Sequence, residues 1–262
     1  MSNILNFNSF NSFTQQQTNL YAVVPNVVIL YSCKLNHVIL PVYLYSWVHQ
    51  QVHNNNIVDT NVALIKETFA PGNKTGISVS IKDVLKLLGT DVPDDEATGT
   101  KGFSQCISYR QKLDNIKPDT RLQYYFLDRD SSNLSGYTII THDEYNTIID
   151  YVDNFNYGDN PDVDTRVSPS KSKALNCMDM MNIYCYLKMR IQQFQGLAKA
   201  RQDASFQMKE SVEKISSNLS LGSKTISKYL PHFVNMGLIS INNGKGLQRN
   251  KPNIYTLFDP TK

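Results

Sequence analysis

Glu213-Lys-Ile-Ser-Ser-Asn-Leu-Ser-Leu-Gly-Ser-Lys-Thr-Ile-Ser-Lys-Tyr-Leu230, followed by Val234-Asn-Met-Gly-Leu-Ile-Ser240, has the pattern of two short helices joined by a tight turn and leading into a strand. Val212, Ile215 and Leu219 recur at helical spacing, which predicts a helix from Glu210 to Asn218 with one buried face. Ser216 is small where a second helix would cross, and Leu221 anchors the turn. Gly222 or Ser223 then caps a second helix reaching about Asn235. Within it Ile226, Tyr229, Leu230 and Phe233 face inward, leaving Lys224, Thr225, Ser227 and Lys228 outward.

Beyond the second helix, Gly237 suits a left-handed helix end. Leu238-Ile-Ser-Ile241 and Asn253-Ile-Tyr-Thr-Leu-Phe258 read as a hairpin whose loop carries Lys245, Arg249 and Lys251 among flexible glycines. Upstream, an apolar helix is expected from about Met178 to Gln195, and a short strand at Ala204-Ser-Phe-Gln207. Short hydroxyls and lysines at a helix N-terminus meet base edges and phosphates, while a basic loop tip tracks a phosphate strand or enters the minor groove.

Charge singles out the same region. Residues 1–165 hold 11 Lys/Arg against 18 Asp/Glu, a net of −7, and residues 166–262 hold 15 against 5, a net of +10. A phosphate backbone attracts the second half and repels the first.

The segment Leu219-Ser-Leu-Gly-Ser-Lys-Thr-Ile-Ser-Lys-Tyr-Leu230, with Met236-Gly-Leu-Ile239 behind it, resembles the recognition helix and wing entry of the winged helix-turn-helix family over about residues 174–262. It is similar to two-winged-helix replication and regulatory proteins of plasmids and phages of AT-rich bacteria. The resemblance implies DNA contact by Ser223, Lys224, Thr225, Ser227 and Lys228, and by the wing cations Lys245, Arg249 and Lys251. Two departures stand out. Ser220 occupies a turn position where glycine is common, and Pro231 falls inside the recognition helix, where it removes a backbone donor and is expected to kink the axis.

Residues 1–19 form a polar tail with the repeat Phe7-Asn-Ser-Phe10 and Asn11-Ser-Phe13, too poor in apolar periodicity to fold alone. Leu20 to Leu30 is expected to be extended around Pro25-Asn26, and Leu35 to His53 to be helical from near Asn36 or His37. Val62 to Phe69 reads as a short helix, Ile77 to Gly89 as a strand entering a helix, and Phe103 to Ile116 as another helix. Arg121 to Asp128 and Gly136 to Ile140 read as paired strands. Thr141-His-Asp-Glu144 is a capping box opening a helix to about Val152. The order resembles a second, more elaborate winged helix.

The expected architecture is therefore α+β and helix-rich: a tail over 1–19, an acidic winged-helix-like domain over 20–153 suited to dimerisation, a linker over 154–173 rich in Pro, Gly, Asp and Ser, and a basic winged helix over 174–262. The expected partners are double-stranded DNA, a second copy of the chain, and a replication or transcription protein.

Other chemistries find no pattern. Cys33, Cys106, Cys177 and Cys185 lack CxxC spacing and read as free thiols rather than zinc ligands. His49 and His53 lie one helical turn apart without a metalloprotease glutamate, and Asp159, Asp162 and Asp164 lack the glycine and closing glutamate of a calcium loop. Asp128 and Asp130 after a strand read as a solvated turn. There is no phosphate loop and no nucleophile elbow. No enzyme activity, metal or cofactor is expected. No apolar stretch is long enough to span a bilayer and no export signal is visible, so the expected location is the cytoplasm. The rival expectation is an adaptor of helicase-loader type that docks proteins and does not bind DNA.

Overall fold

Tyr21–Pro25 forms strand β1 and Asn26–Lys34 the helix α1, so the extended reading of Leu20 to Leu30 holds only as far as Pro25. The computed structural model describes residues 21–34, 36–45, 57–59, 62–69, 104–106, 136–158, 174–201, 208–242 and 252–257. The run Val27-Val28-Ile29-Leu30 has the β-branched composition of a strand, but tertiary burial overrides propensity. Val28, Ile29, Leu30, Tyr31 and Cys33 are all buried, which suits a helix enclosed by the rest of the fold. Asn26 is buried at its start, with its N–H bonded to the Gly136 carbonyl and its Oδ1 accepting from Thr138 Oγ1 at 2.8 Å.

Residues 39–45 form α2, entered through an Asn36 turn in which Asn36 Oδ1 accepts from the Val38 N–H. The remainder of the helix expected to His53 lies outside the described residues. Strand β2 (Ile57–Asp59) is followed by α3 (Val62–Phe69), a helix with the bounds expected from the sequence. Strand β3 (Ser104–Cys106) pairs antiparallel with β2, so these residues are extended where a helix from Phe103 was expected. The expected elements over 77–89 and 121–128 lie outside the described residues.

Strand β4 (Tyr137–Thr141) pairs antiparallel with β1, in the register Tyr21 to Thr141 and Pro25 to Tyr137. Helix α4 (His142–Tyr157) opens on the full capping box: Thr141 Oγ1 accepts from the Glu144 N–H and the Glu144 carboxylate from the Thr141 N–H. It runs past Val152 into the stretch read as linker. Asn156 near its end exchanges two hydrogen bonds with the Leu175 backbone, at 2.9 and 2.8 Å.

Helix α5 (Cys177–Arg201) is longer at both ends than expected and is the scaffold of the chain. Met180, Met181, Ile183, Tyr184, Cys185, Tyr186, Leu187 and Met189 are buried around its circumference because α1, α4 and the C-terminal elements surround it. Strand β5 spans Met208–Glu210; the strand expected at 204–207 lies outside the described residues. Helix α6 (Val212–Leu219) follows, capped by Ser211 rather than beginning at Glu210. Then come α7 (Ser223–Asn235), β6 (Ile239–Asn242) and β7 (Asn253–Leu257). The strands form one antiparallel sheet in the order β5, β7, β6.

Over the described residues the chain is thus α+β and mostly helical, with small sheets. A continuous apolar cluster runs from Ala22 on β1 through α1, α4 and α5 to Tyr255 on β7. Polar bonds cross the same boundary. Lys188 of α5, 6% exposed, reaches both carboxylate oxygens of Glu144 at 2.5 Å, and Tyr184 bonds the same carboxylate. Cys33, Cys177 and Cys185 are buried free thiols. No helix among the described residues is long and apolar enough to cross a membrane.

Candidate nucleic-acid interface

Helices α6 and α7 meet through a turn in which Ser220 adopts φ 54°, ψ 28°, the one non-glycine residue with positive φ among those described. The Ser220 and Leu221 N–H groups both bond the Ser216 carbonyl, and the Ser216 hydroxyl bonds the Leu221 carbonyl. Ser216 therefore serves as closing residue of the turn as well as a small residue at the crossing. The left-handed conformation lets the last carbonyls of α6 find partners before the chain reverses.

The buried face of α7 is the one the sequence predicts: Ile226, Tyr229, Leu230 and Phe233. Gly222 is the N-cap and supplies no side-chain bond, so the first N–H groups of α7 lack a side-chain cap. Such groups, with the helix dipole behind them, favour anions. Around this end Lys224 is exposed and Ser223, Thr225 and Ser227 are half-buried. Helix α7 continues through Pro231 to Asn235 and ends in a Schellman motif: the Gly237 N–H bonds the Val234 carbonyl, the Leu238 N–H bonds the Phe233 carbonyl, and Gly237 has φ 69°. This turn feeds β6 directly.

Lys228 differs from the other predicted contacts. Its Nζ donates to the Ala174 carbonyl at 2.7 Å and lies 5.5 Å from the Tyr229 ring centre. The Tyr229 hydroxyl in turn accepts from the Asn176 N–H. These bonds fasten the middle of α7 to the start of α5. Further along, His232 packs edge-on against Tyr151 and Phe155 of α4, and its Nδ1 lies 2.9 Å from the Tyr151 hydroxyl. Burial, and then the Lys228 charge, lower the His232 pKa. A neutral imidazole can accept from the tyrosine at neutral pH. The C-terminal half of α7 is thereby braced by the acidic half of the chain while its first turn stays open to solvent.

Arg190 Nε and Nη2 donate to Glu210 Oε1 at 3.1 and 2.9 Å, and the Tyr186 hydroxyl donates to Oε2 at 3.1 Å. Asn218 of α6 donates to that hydroxyl at 2.6 Å. This buried network joins α5, β5 and α6 and sets the platform on which α7 lies. Sequence reading missed Glu210 as a core residue; its signal was an alternating Met208-Lys-Glu210, with a charge at the buried position. Of the C-terminal cations, Lys188 and Arg190 are committed internally, whereas Lys209, Lys214 and Lys224 are exposed.

Ser223, Lys224, Thr225, Ser227 and Lys228 are thus brought together on the first half of α7. Lys245, Arg249 and Lys251 lie outside the described residues, between the β6 and β7 ends at Asn242 and Asn253. Among the described residues no cluster of three or more His, Cys, Asp or Glu side chains could hold a metal ion. No protein-family model, curated protein or solved structure matches the chain, so the functional reading rests on its own residues.

Proposed function

We propose that the chain is a sequence-specific double-stranded DNA-binding protein whose residues 174–262 form a winged helix-turn-helix, with α7 as recognition helix. The observation that carries the reading is the start of α7, which lacks a side-chain cap and bears exposed Lys224 beside half-buried Ser223, Thr225 and Ser227, within the half of the chain that carries +10. The order helix, strand, helix, helix, strand, strand with sheet order β5, β7, β6 supports it, because a winged helix-turn-helix has this order of elements. In this reading Lys224, Lys214 and Lys209 meet phosphates, Thr225 and Ser227 reach base edges, and the loop cations Lys245, Arg249 and Lys251 follow the adjacent strand. The N-terminal half, a second winged-helix-like unit, braces α7 and pairs two copies so that a repeated or palindromic site is read. The resemblance favours replication initiation or transcription control on a plasmid or phage.

Fluorescence anisotropy of the full chain on duplex DNA across a potassium chloride series tests this. Binding should weaken steeply with salt, with a log–log slope of about −0.9 per phosphate neutralised. Lys224→Ala should flatten that slope by about one phosphate's worth. Salt-insensitive binding, or none, refutes the proposal.

One observation favours the rival adaptor reading: Lys228, the second cation of α7, is spent on the Ala174 carbonyl. If the helix face serves a protein, the full chain shows no salt-dependent duplex binding, with or without Lys224→Ala.

A further inference from the structure

His37 lies between α1 and α2 in the acidic half, yet both of its ring nitrogens are bonded to the C-terminal half. Nδ1 is 3.1 Å from Asp179 Oδ1 in the first turn of α5, and Nε2 is 3.1 Å from the carbonyl oxygen of Leu219, the last residue of α6. The backbone of the same residue is held as well, since Asn182 Nδ2 donates to the His37 carbonyl at 2.7 Å. A carboxylate and a carbonyl are both acceptors, whereas a neutral imidazole has one N–H to give. Both contacts are hydrogen bonds only when the ring carries two protons. The imidazolium then sits at the C-terminal end of α6, where carbonyls lack helical partners and the helix dipole favours a cation.

The geometry points to His37 as a positioning residue: an imidazolium clamp through which the N-terminal half caps α6 and holds the Ser220–Gly222 turn, making the set of α7 dependent on protonation of a residue in the other half. The consequence for DNA rests on the proposed function; the clamp itself does not.

The neighbours of His37 agree in sign. Asp179 from α5, the Leu219 carbonyl from α6 and a backbone contact at Cys33 of α1 all favour the charged ring, while partial burial opposes it. Tyr229 of α7 faces the same Asp179, and its phenol is pushed up chiefly by burial. The hydrogen bond to Asp179 leads, and His37 is raised above the ordinary 6.5. A raised folded pKa means the clamp is fully made below 6.5 and is lost as pH climbs through the folded value. His142 and His232 are shifted the other way, so both are already neutral over that climb and neither releases a proton in it.

The test uses the full chain. NMR titration of the His37 ring should give a midpoint above 6.5, with both nitrogens protonated below it. Hydrogen-exchange protection of the Ser220 and Leu221 amides, which both bond Ser216, should fall about fivefold as that midpoint is crossed. His37→Gln should remove the pH dependence, and Asp179→Asn should move its midpoint down. A His37 midpoint at or below 6.5, or turn protection that ignores pH in the unaltered chain, overturns the clamp. Both readouts survive a poorly folding His37→Gln chain. Duplex affinity followed over the same pH range should fall with turn protection. If protection moves and affinity stays absent throughout, the clamp stands and the DNA reading falls.

Discussion

Removing the Arg190 guanidinium should be among the most damaging single changes in the chain. Glu210 is 1% exposed, and Arg190 supplies it with two hydrogen bonds at 3.1 and 2.9 Å. Arg190→Met keeps most of the aliphatic packing and leaves a buried carboxylate held by the Tyr186 hydroxyl alone. Breaking one side of a buried pair costs about 3–5 kcal/mol, because the remaining charge stays desolvated. Most of a small protein's net stability would be consumed. Glu210→Gln should cost less, about 1–3 kcal/mol, since the amide oxygen can still accept from Arg190, while its NH2 faces the Tyr186 hydroxyl and the ionic attraction is lost. The double variant should be more stable than the sum of the single losses implies, by about 1–3 kcal/mol. Urea unfolding of the full chain followed by far-ultraviolet circular dichroism measures all three. A loss below about 1 kcal/mol for Arg190→Met, or simple additivity of the two changes, would refute the claim that the pair joins β5 to α5 as a unit.

Two turns on either side of α7 should respond oppositely to glycine. Ser220→Gly relieves a left-handed serine and should raise stability by about 0.5–1 kcal/mol, whereas Gly237→Ala, at φ 69° with open space around it, should lower it by about 1 kcal/mol through backbone strain alone. Thermal melts of both variants check the signs. The buried thiols Cys33, Cys177 and Cys185 should resist alkylation at pH 8 in the folded chain and react on unfolding, because burial pushes the Cys177 and Cys185 thiols well above their usual range. Peptide mapping after a pulse of iodoacetamide, with fast labelling of any of the three, would contradict this.

What was legible in the sequence follows from how local each signal is. The apolar spacing of Val212, Ile215, Leu219 and of Ile226, Tyr229, Leu230, Phe233 is local, and the α6–α7 pair lies where it predicts. The capping box at Thr141 and the glycine end at Gly237 were readable for the same reason. Long-range burial was not readable. The Val27-Val28-Ile29 run is helical because other elements enclose it, and β4 takes its described partner from β1, more than a hundred residues earlier. Glu210 looked like the start of a surface helix because Arg190, which makes its burial tolerable, is remote in sequence. Lys228 is outward by helical phase, as predicted; its bond to the Ala174 carbonyl depends on a tertiary contact that phase does not encode.

The most direct test of DNA reading by the first turn of α7 is selection of duplexes from a random library by the full chain. An enriched motif is expected, bound at least about a thousandfold more tightly than scrambled duplex at physiological salt. Preference at specific positions of that motif should relax in Thr225→Ala and Ser227→Ala proteins that keep their fold. Recovery of no motif, or the same motif with the same discrimination after both changes, would contradict it.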